Sequence, residues 1–172
     1  MNPEPAEDFR WKLLVAAVER LAIAEDFPAV IEIIRTTARA ISGADGVSFV
    51  LRDGDVCHYI EEDAIAPLWK GQRIALADCI AGWCMLNDST AFIPDIYADP
   101  RVPQDVYRPT FVRSLIMVPV RAGKPIAAIG FYWREPRESM PPAFRSANGG
   151  TCWHWNSART NSFTRMSGLS HF

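Results

Sequence analysis

The change of pattern that decides the fold lies in residues 47–60, VSFVLRDGDVCHYI. Apolar residues fall there at alternate positions, which is typical of a β-strand with one buried face. The dipeptide Asp53-Gly54 divides the stretch and is a strong signal for a two-residue hairpin turn. We therefore predict an antiparallel hairpin whose register places Phe49 opposite His58 and Val50 opposite Cys57.

Two amphipathic helices are predicted before this hairpin. The first carries an apolar stripe over residues 11–22, with the i, i+3, i+4, i+7 spacing of a single helix face. In the second, Asp26 is a good N-cap, Pro28 suits the first turn and Gly43 follows the last residue. The predicted buried stripe of the second helix consists of Val30, Ile31, Ile34, Ala38 and Ile41.

After the hairpin, the chain is predicted to form four further strands, a short helix and a helical turn near Tyr107. Asp78 is the expected N-cap of the short helix, which should end near Asn87. The predicted strands are residues 74–76, 90–93, 112–120 and 126–133. Two helices, a hairpin, an irregular middle and a closing hairpin indicate an α+β fold with an antiparallel sheet.

The composition is that of a globular protein, with 49% hydrophobic and 22% charged residues among 172. A net charge of −2 lacks the basic excess of nucleic-acid-binding proteins, so we expect no nucleic-acid partner. No apolar run reaches the roughly 18 residues of a membrane span, and the acidic start is unlike a secretory signal. We therefore expect a cytoplasmic protein without a membrane span. Its cysteines should be reduced, namely Cys57, Cys79, Cys84 and Cys152.

Four segments, taken together in their order and spacing, resemble the GAF domain family. They are residues 43–47 (GADGV), 80–83 (IAGW), 93–101 (IPDIYADPR) and 112–120 (VRSLIMVPV). The resemblance covers about residues 13–133 and is to GAF domains that precede bacterial sensor histidine kinases. It implies a central antiparallel sheet of about six strands with the terminal helices on one face. It also implies a ligand pocket under a helix and a loop on the other face.

The resemblance implies a regulatory domain that senses a small molecule or signal, in a bacterial protein of the two-component type. We expect an N-terminal arm (1–12), a GAF domain (13–138) and an atypical tail (139–172). The expected partners are a small-molecule ligand, a second copy of the chain bound through the first helix, and a histidine kinase output module in a longer parent protein. We expect no enzyme activity and no metal, and the sequence identifies no cofactor.

The tail departs from the family pattern. A helix begins plausibly at residues 139–144, but from Arg145 onward the chain has no acidic residue, Val, Ile or Lys. In the reading frame that starts at the third base of the Cys152 codon, residues 152–156 must encode Leu-Ala-Leu-Glu, which suits the missing helix. We therefore hypothesise a frameshifted remnant of the C-terminal helix, and a natural disordered tail is the alternative.

Eight residues are candidates for lining the ligand pocket. For the aromatic ones, ordinary core packing is an equal alternative. For His58, a buried structural histidine is the expectation, and a haem ligand or a pH sensor is the alternative. The candidates are His58, Cys79, Trp83, Cys84, Tyr97, Tyr107, Phe111 and Ser114.

The sequence gives only weak signals for a metal site or an anion-binding site. Cys79 and Cys84 are five residues apart, which misaligns them on a helix and argues against a metal site with the Cys57-His58 pair. Arginines could bind an anionic ligand, although solvated surface charge is the expected fate of each. These arginines are Arg101, Arg108 and Arg113.

Three activities of GAF domains fit this chain poorly. The attachment cysteine of bilin-binding members is missing from residues 102–110, and the Asn-Lys-(any)-Phe-Asp-Glu motif of cyclic-nucleotide-binding members is absent. Members that reduce free methionine sulfoxide carry a cysteine where this chain has Ala81. A thiol-dependent redox enzyme of that type and a dimerisation module with a vestigial pocket remain the alternatives to a sensor.

Overall fold

The computed structural model describes residues 4–141 and 144 of the chain. The helices are α1 (Glu4–Ala22), α2 (Phe27–Ser42), α3 (Ile80–Leu86) and α4 (Gln104–Tyr107). The strands are β1 (Gly46–Asp53), β2 (Val56–Ala64), β3 (Arg73–Ala75), β4 (Ala91–Ile93), β5 (Ser114–Ala122) and β6 (Lys124–Trp133). A 3₁₀ turn, Leu76–Asp78, leads into α3. The tail hypothesis concerns residues 145–172, which lie outside the described residues.

The six strands of the described chain form one antiparallel sheet in the order β3-β2-β1-β6-β5-β4. The first and last strands therefore lie side by side in the middle, with Gly46 paired to Tyr132 and Leu51 to Ala127. The predicted α+β fold with a six-stranded antiparallel sheet is confirmed. The boundaries predicted for β3 to β6 differ from the observed ones by at most two residues.

The sheet separates two buried clusters. On one face α2 packs against β1 and β2, and α1 packs on α2; on the other face α3 packs against β5 and β6. Side chains of a strand point alternately to the two faces. On β6, Tyr132 therefore belongs to the cluster beside α3, and Trp133 belongs to the cluster beside α2. Trp133 Nε1 also donates a hydrogen bond of 3.1 Å to the carbonyl oxygen of Gly43, the C-cap of α2.

The ends of α2 are those that its sequence predicts. The Asp26 side chain accepts a hydrogen bond of 2.8 Å from the Ala29 amide, and Gly43 closes the helix with a left-handed φ of +66°. The predicted buried stripe is wrong, because its five residues are only half-buried while Ile33 and Thr37 are the buried ones. α2 lies between α1 and the sheet, so its apolar surface is shared between two neighbours.

The β1–β2 turn lies one residue later than predicted, so the pairing register is shifted by two residues. Gly54 and Asp55 form the turn, Asp53 pairs with Val56, and Gly54 takes the first central position with a φ of +61°. Tight hairpin turns require a positive φ at that position, which glycine adopts without strain. His58 therefore lies opposite Leu51, Tyr59 opposite Val50, and Glu61 opposite Phe49 after an irregularity between Phe49 and Val50.

The apolar stripe of α1 is exposed over much of its length. Ala17 is buried, but Trp11 exposes 66% of its surface and Val18 exposes 56%. Phe9 and Val15 are exposed as well. No helix among residues 4–141 is both long and apolar enough to cross a membrane.

Candidate functional site

An aromatic cluster occupies the face of the sheet opposite α2. The Trp69 ring lies 5.7 Å from the Tyr59 ring, 4.8 Å from Tyr107 and 5.3 Å from Tyr132, measured between centroids. We call these four residues the tyrosine cluster. They come from β2, the β2–β3 loop, α4 and β6, and each exposes at most 3% of its surface. Such edge-on and tilted pairs add to the stability that burial provides.

The loop that carries Trp69 is fixed by one carboxylate. Glu62 on β2 accepts hydrogen bonds of 2.9–3.0 Å from the amides of Leu68, Trp69 and Lys70. Trp69 Nε1 donates to the Val106 carbonyl oxygen at 3.3 Å and so ties this loop to α4. These bonds hold the indole ring against the sheet.

The hydroxyl groups of the cluster differ in how well they are satisfied. The Tyr132 hydroxyl lies 2.7 Å from Ser48 Oγ on β1, whereas the Tyr107 hydroxyl has no hydrogen-bond partner among the described residues. In α4, Gln104 Nε2 donates to the Ile96 carbonyl oxygen at 2.6 Å, but Gln104 Oε1 is buried without a partner in the described structure. The Nε atoms of Arg113 and Arg137 are also buried without a partner in the described structure. An unpaired buried polar group costs free energy, so a ligand that bonds such an atom would be stabilised.

All three tyrosines are neutral at physiological pH. Burial raises the pKa of Tyr59 and of Tyr107 well above the ordinary value, because a phenolate would lose its hydration there. Burial also raises the pKa of Tyr132, against the opposing effect of the hydrogen bond with Ser48. Each hydroxyl is therefore a neutral donor or acceptor.

Helix α3 begins next to this cluster. Its N-cap is Cys79 and not the predicted Asp78, and Cys79 Sγ accepts a hydrogen bond of 3.3 Å from the Gly82 amide. The helix approaches the preceding turn so closely that a Cβ at Gly82 would lie 1.9 Å from the Leu76 carbonyl oxygen. Position 82 therefore has no room for a side chain, and this contact fixes where α3 sits on the sheet.

The three described cysteines are buried and have different surroundings. The interaction with Cys57, together with the hydrogen bond from the Gly82 amide, lowers the pKa of Cys79, while the same interaction and burial raise the pKa of Cys57. Cys84 Sγ donates to the Met117 carbonyl oxygen at 3.4 Å, and burial raises the pKa of Cys84 to about 12. Only Cys79 therefore has a stabilised thiolate form.

The structure brings some of the predicted pocket residues together. Cys79, Cys84 and Tyr107 belong to the buried cluster beside α3, and Trp83 and Phe111 are partly buried against it. Three candidates do not join them. Ser114 is buried but donates to the Glu135 carbonyl oxygen at 2.7 Å. His58 is half-buried next to Arg73 of β3, and Tyr97 is half-exposed beneath the Arg113 guanidinium.

Sequence reasoning missed Tyr59, Trp69 and Tyr132. Tyr59 follows His58 directly and therefore lies on the other face of β2; the prediction took the face of His58 for the pocket face, whereas Val50, Cys57 and Tyr59 are the residues in the buried cluster beside α3. Tyr132 lies on a correctly predicted strand, but the face it occupies was not assigned. Trp69 lies in a loop without periodicity, and only the amide bonds to Glu62 place it.

The arginines considered for an anionic ligand are largely engaged within the chain. Arg101 pairs with Asp99 at 2.6 Å and its guanidinium stacks 4.6 Å from the Trp83 ring centre. Arg113 pairs with Asp95 at 3.4 Å, and Arg108 is exposed. Within residues 4–141 and 144, no group of three or more His, Cys, Asp or Glu side chains could hold a metal ion.

A surface cleft of about 540 Å³ lies elsewhere, lined by Gly43, Asp45 and residues 133–139. It is open, and it lies where β6 ends and the chain passes toward undescribed residues. Trp133, which lines it, belongs to the cluster beside α2. We take the tyrosine cluster as the candidate site, because the unpaired Tyr107 hydroxyl lies among its fully buried aromatic rings.

The sequence profile of the GAF domain family matches residues 26–147. This chain belongs to the GAF domain family. No curated protein is similar enough in sequence to count as a relative. GAF domains are generally regulatory and share a sensing and signalling fold, so the family agrees with the resemblance seen in the sequence.

Solved structures agree with the GAF fold. A free methionine-R-sulfoxide reductase from Neisseria meningitidis, in complex with its substrate, superposes with a TM-score of 0.67, at 18% identity over 81% of this chain and 82% of that one. A putative GAF sensor protein from Burkholderia vietnamiensis superposes with a TM-score of 0.65, at 17% identity over 78% of this chain and 84% of that one. The chromophore-binding domain of an unusual bacteriophytochrome from R. palustris superposes with a TM-score of 0.63, at 17% identity over 80% of this chain and 56% of that one.

Proposed function

We propose that this GAF domain is the sensory part of a bacterial signalling protein and that a small, uncharged molecule binds at the tyrosine cluster. The observation that carries the proposal is the buried Tyr107 hydroxyl, which has no partner among the described residues. A ligand that supplies a donor or acceptor at this point removes the cost of leaving the hydroxyl unpaired. Gln104 Oε1 in the same short helix offers a second contact of this kind.

The chemistry of the cluster favours an uncharged ligand. The four side chains of the tyrosine cluster and the buried apolar residues around them carry no charge, so they favour a ligand without one. The aromatic rings favour a partly planar, apolar molecule with one or two polar groups. His58, Tyr97 and Ser114 are not part of this proposed site.

We further propose that this chain, with residues 13–138 as its GAF domain, acts as a cytoplasmic homodimer that regulates a histidine kinase module in a longer protein. The exposed Trp11 and Val18 on α1 support the dimer, because a contiguous apolar face of this kind favours burial against a second copy. The likeness to sensor GAF domains supports a role in signalling.

The test of ligand binding is a thermal-shift screen with uncharged metabolites on the full chain. A ligand that binds only the folded state raises the melting temperature, by an amount that increases with the logarithm of its concentration relative to its Kd. Tyr107→Phe should reduce the shift by removing the hydroxyl alone. Tyr97→Phe is the matched control, because Tyr97 is half-exposed and outside the cluster, and it should leave the shift unchanged. Equal shifts in the two variants would refute the assigned site.

A regulatory role also predicts the absence of turnover. Free methionine sulfoxide should not be reduced, since the position of the family's cysteine is Ala81. A reductase assay with and without Cys84→Ser checks this directly. Turnover that the substitution abolishes would identify the chain as a thiol-dependent enzyme instead of a sensor.

A further inference from the structure

The tyrosine cluster is closed to solvent in this structure. Its four side chains are buried, and the Trp69 ring lies against the rings of all three tyrosines. The unpaired Tyr107 hydroxyl is buried with them. A molecule cannot reach this hydroxyl while all four rings keep their places. Ligand entry therefore requires one part of the cluster to move.

The part of the cluster that is least embedded is the loop that carries Trp69. In residues 66–70, which we call the Trp69 loop, Trp69 is the only buried residue and the others are exposed or half-buried. Backbone hydrogen bonds fix both ends of the loop. The Ile65 amide donates at 3.0 Å to the carbonyl oxygen that precedes β1, and the Gly71 amide donates at 2.7 Å to a carbonyl oxygen of β2. A segment with one buried side chain between two fixed ends opens more easily than a strand or helix of the core.

The Glu62 carboxylate is the anchor of the Trp69 loop. Its Oε1 accepts a hydrogen bond from the Leu68 amide, and its Oε2 accepts from the amides of Trp69 and Lys70. Hydrogen bonds to an ionised acceptor are stronger than those between neutral groups. The ion pair between Lys70 and Glu61 is largely exposed on the lysine side, so it adds little. The bonds to Glu62 therefore decide how often the loop opens.

The Trp69 side chain shows which kind of molecule fits among the tyrosines. It is a flat, uncharged bicyclic ring in edge-on or tilted contact with three phenol rings, and its Nε1 donates to the Val106 carbonyl oxygen at 3.3 Å. With Trp69 in place, the Tyr107 hydroxyl still has no partner among the described residues. A free molecule of the same shape can carry one further polar atom for this hydroxyl. Such a molecule would make every contact of the indole and satisfy a group that the indole leaves unpaired.

We propose that Trp69 occupies the ligand's place in the free protein, and that an indole-like molecule, planar, uncharged and with an N–H donor, displaces it when the Trp69 loop lifts away from Glu62. This inference rests on the proposed ligand site and names the class of ligand and its way of entry. Binding is then an exchange of one ring for another. The apparent affinity is the intrinsic affinity multiplied by the fraction of chains whose loop is open.

Hydrogen exchange of the full chain, resolved to single amides, tests the loop without any ligand. Glu62→Gln puts an NH₂ group in place of one accepting oxygen, so at least one of the three anchoring bonds is lost. Exchange at the three anchored amides should become at least about tenfold faster. Asp63→Asn is the matched control, because it removes a carboxylate from the next residue of β2, which pairs with Arg39 of α2 and not with the loop. Equal exchange rates in the two variants would overturn the inference and leave the ligand site at Tyr107 standing.

Indole is the probe for the class of ligand, and benzothiophene, which has the same shape with sulfur in place of N–H, is its control. Indole should speed exchange at the three anchored amides of the unaltered chain, because the bound state keeps the Trp69 loop open. A molecule that bound beneath a closed loop would slow exchange there. Benzothiophene should bind roughly tenfold more weakly in calorimetry, because the Val106 carbonyl oxygen is then left without a donor.

The affinity of the anchor variant separates control of entry from a merely structural role. Glu62→Gln should bind indole more tightly than the unaltered chain, by the factor by which exchange rises, because more loops are open. Circular dichroism confirms that the variant folds, and the exchange measurement with indole needs no variant. Slower exchange with indole, no binding of indole, or weaker binding by Glu62→Gln would overturn the inference. Equal thermal shifts in Tyr107→Phe and Tyr97→Phe would reject the ligand site itself, so the two failures have different readouts.

Discussion

Ser48 Oγ and the Tyr132 hydroxyl lie 2.7 Å apart and connect the two central strands across 84 residues of sequence. The Tyr132 ring folds back over Gly130, where a Cβ would lie 2.2 Å from the hydroxyl, so the missing side chain makes the contact possible. We expect Tyr132→Phe to lower the free energy of unfolding by about 1–3 kcal/mol, because Ser48 Oγ is then buried without its partner. Urea denaturation measures this change.

The Ser48–Tyr132 pair can be tested as a unit. Ser48→Ala alone should cost a similar amount, and the double variant should cost clearly less than the sum of the two. Additive losses would mean that the two hydroxyls do not stabilise each other.

Tyr107→Phe should have little effect on stability, in contrast to Tyr132→Phe. The Tyr107 hydroxyl has no partner among the described residues, so its removal relieves an unpaired polar group without breaking a bond. We expect a free energy of unfolding equal to that of the unaltered chain or up to about 1 kcal/mol higher. A loss above about 1 kcal/mol would show that the hydroxyl is hydrogen-bonded in the free protein.

Stability should fall at alkaline pH. Burial raises the pKa values of Tyr59, Tyr107 and Tyr132 in the folded chain, whereas unfolded tyrosines ionise near pH 10. Above about pH 10 the unfolded chain therefore binds fewer protons than the folded one, and the free energy of unfolding decreases as pH rises. Urea denaturation from neutral to alkaline pH measures the slope.

The raised pKa of Cys84 also lowers the free energy of unfolding as pH rises. This effect begins near pH 8.5, the ordinary pKa of a thiol being about 8.5. Tyrosinate absorbance separates the two kinds of group, because only the tyrosines give that signal. Tyr107→Phe should reduce the slope above about pH 10. Tyr97 is half-exposed and outside the cluster, so the measurement uses Tyr97→Phe. In that variant, tyrosinate absorbance that rises while the chain stays folded would contradict the assignment of buried, neutral phenols.

Gly82→Ala should destabilise the domain, although alanine normally favours a helix. The added Cβ would lie 1.9 Å from the Leu76 carbonyl oxygen, a backbone atom that cannot move away without shifting the turn. We expect a loss of at least about 3 kcal/mol, measured by thermal or urea denaturation. Gly71→Asn is a useful control, because a Cβ there meets nothing within 4 Å and asparagine tolerates the positive φ of +85°. Similar losses in the two variants would contradict the tight contact at α3.

The proposed homodimer predicts a change of mass in solution. Val18→Glu places a charge on the exposed apolar face of α1, where Val18 exposes 56% of its surface. Light scattering behind a sizing column should give a dimer for the unaltered chain and a monomer for the variant, because the charge cannot be buried cheaply. Glu19→Gln, at an exposed polar position of the same helix, is the control and should stay dimeric. A monomeric unaltered chain at high concentration would reject the interface.

The sequence predicts the parts of this fold that depend on local rules. Asp26 and Gly43 mark the ends of α2 because capping acts within a few residues. The α+β order and the strands follow from periodicity in the same way. The hairpin register depends on which two residues form the turn. The sequence rule for Asp-Gly predicted Asp53 and Gly54, whereas the turn is formed by Gly54 and Asp55, with the positive φ at Gly54.

The candidate site was predictable only in part. Cys79, Cys84 and Tyr107 were found because they lie beside recognisable segments. The tyrosine cluster joins β2, a loop, α4 and β6, so its geometry depends on long-range packing that no local pattern encodes.

Tyr132 and Trp133 are adjacent residues with side chains in the two clusters on opposite faces of the sheet. A single planar peptide unit joins them, so their Cα atoms are held about 3.8 Å apart. Trp133 Nε1 in turn donates a hydrogen bond to the carbonyl oxygen of Gly43, the C-cap of α2. A ligand that displaces Tyr132 would therefore also displace Trp133. Because Trp133 is hydrogen-bonded to Gly43, the displacement would reach the connection between α2 and β1.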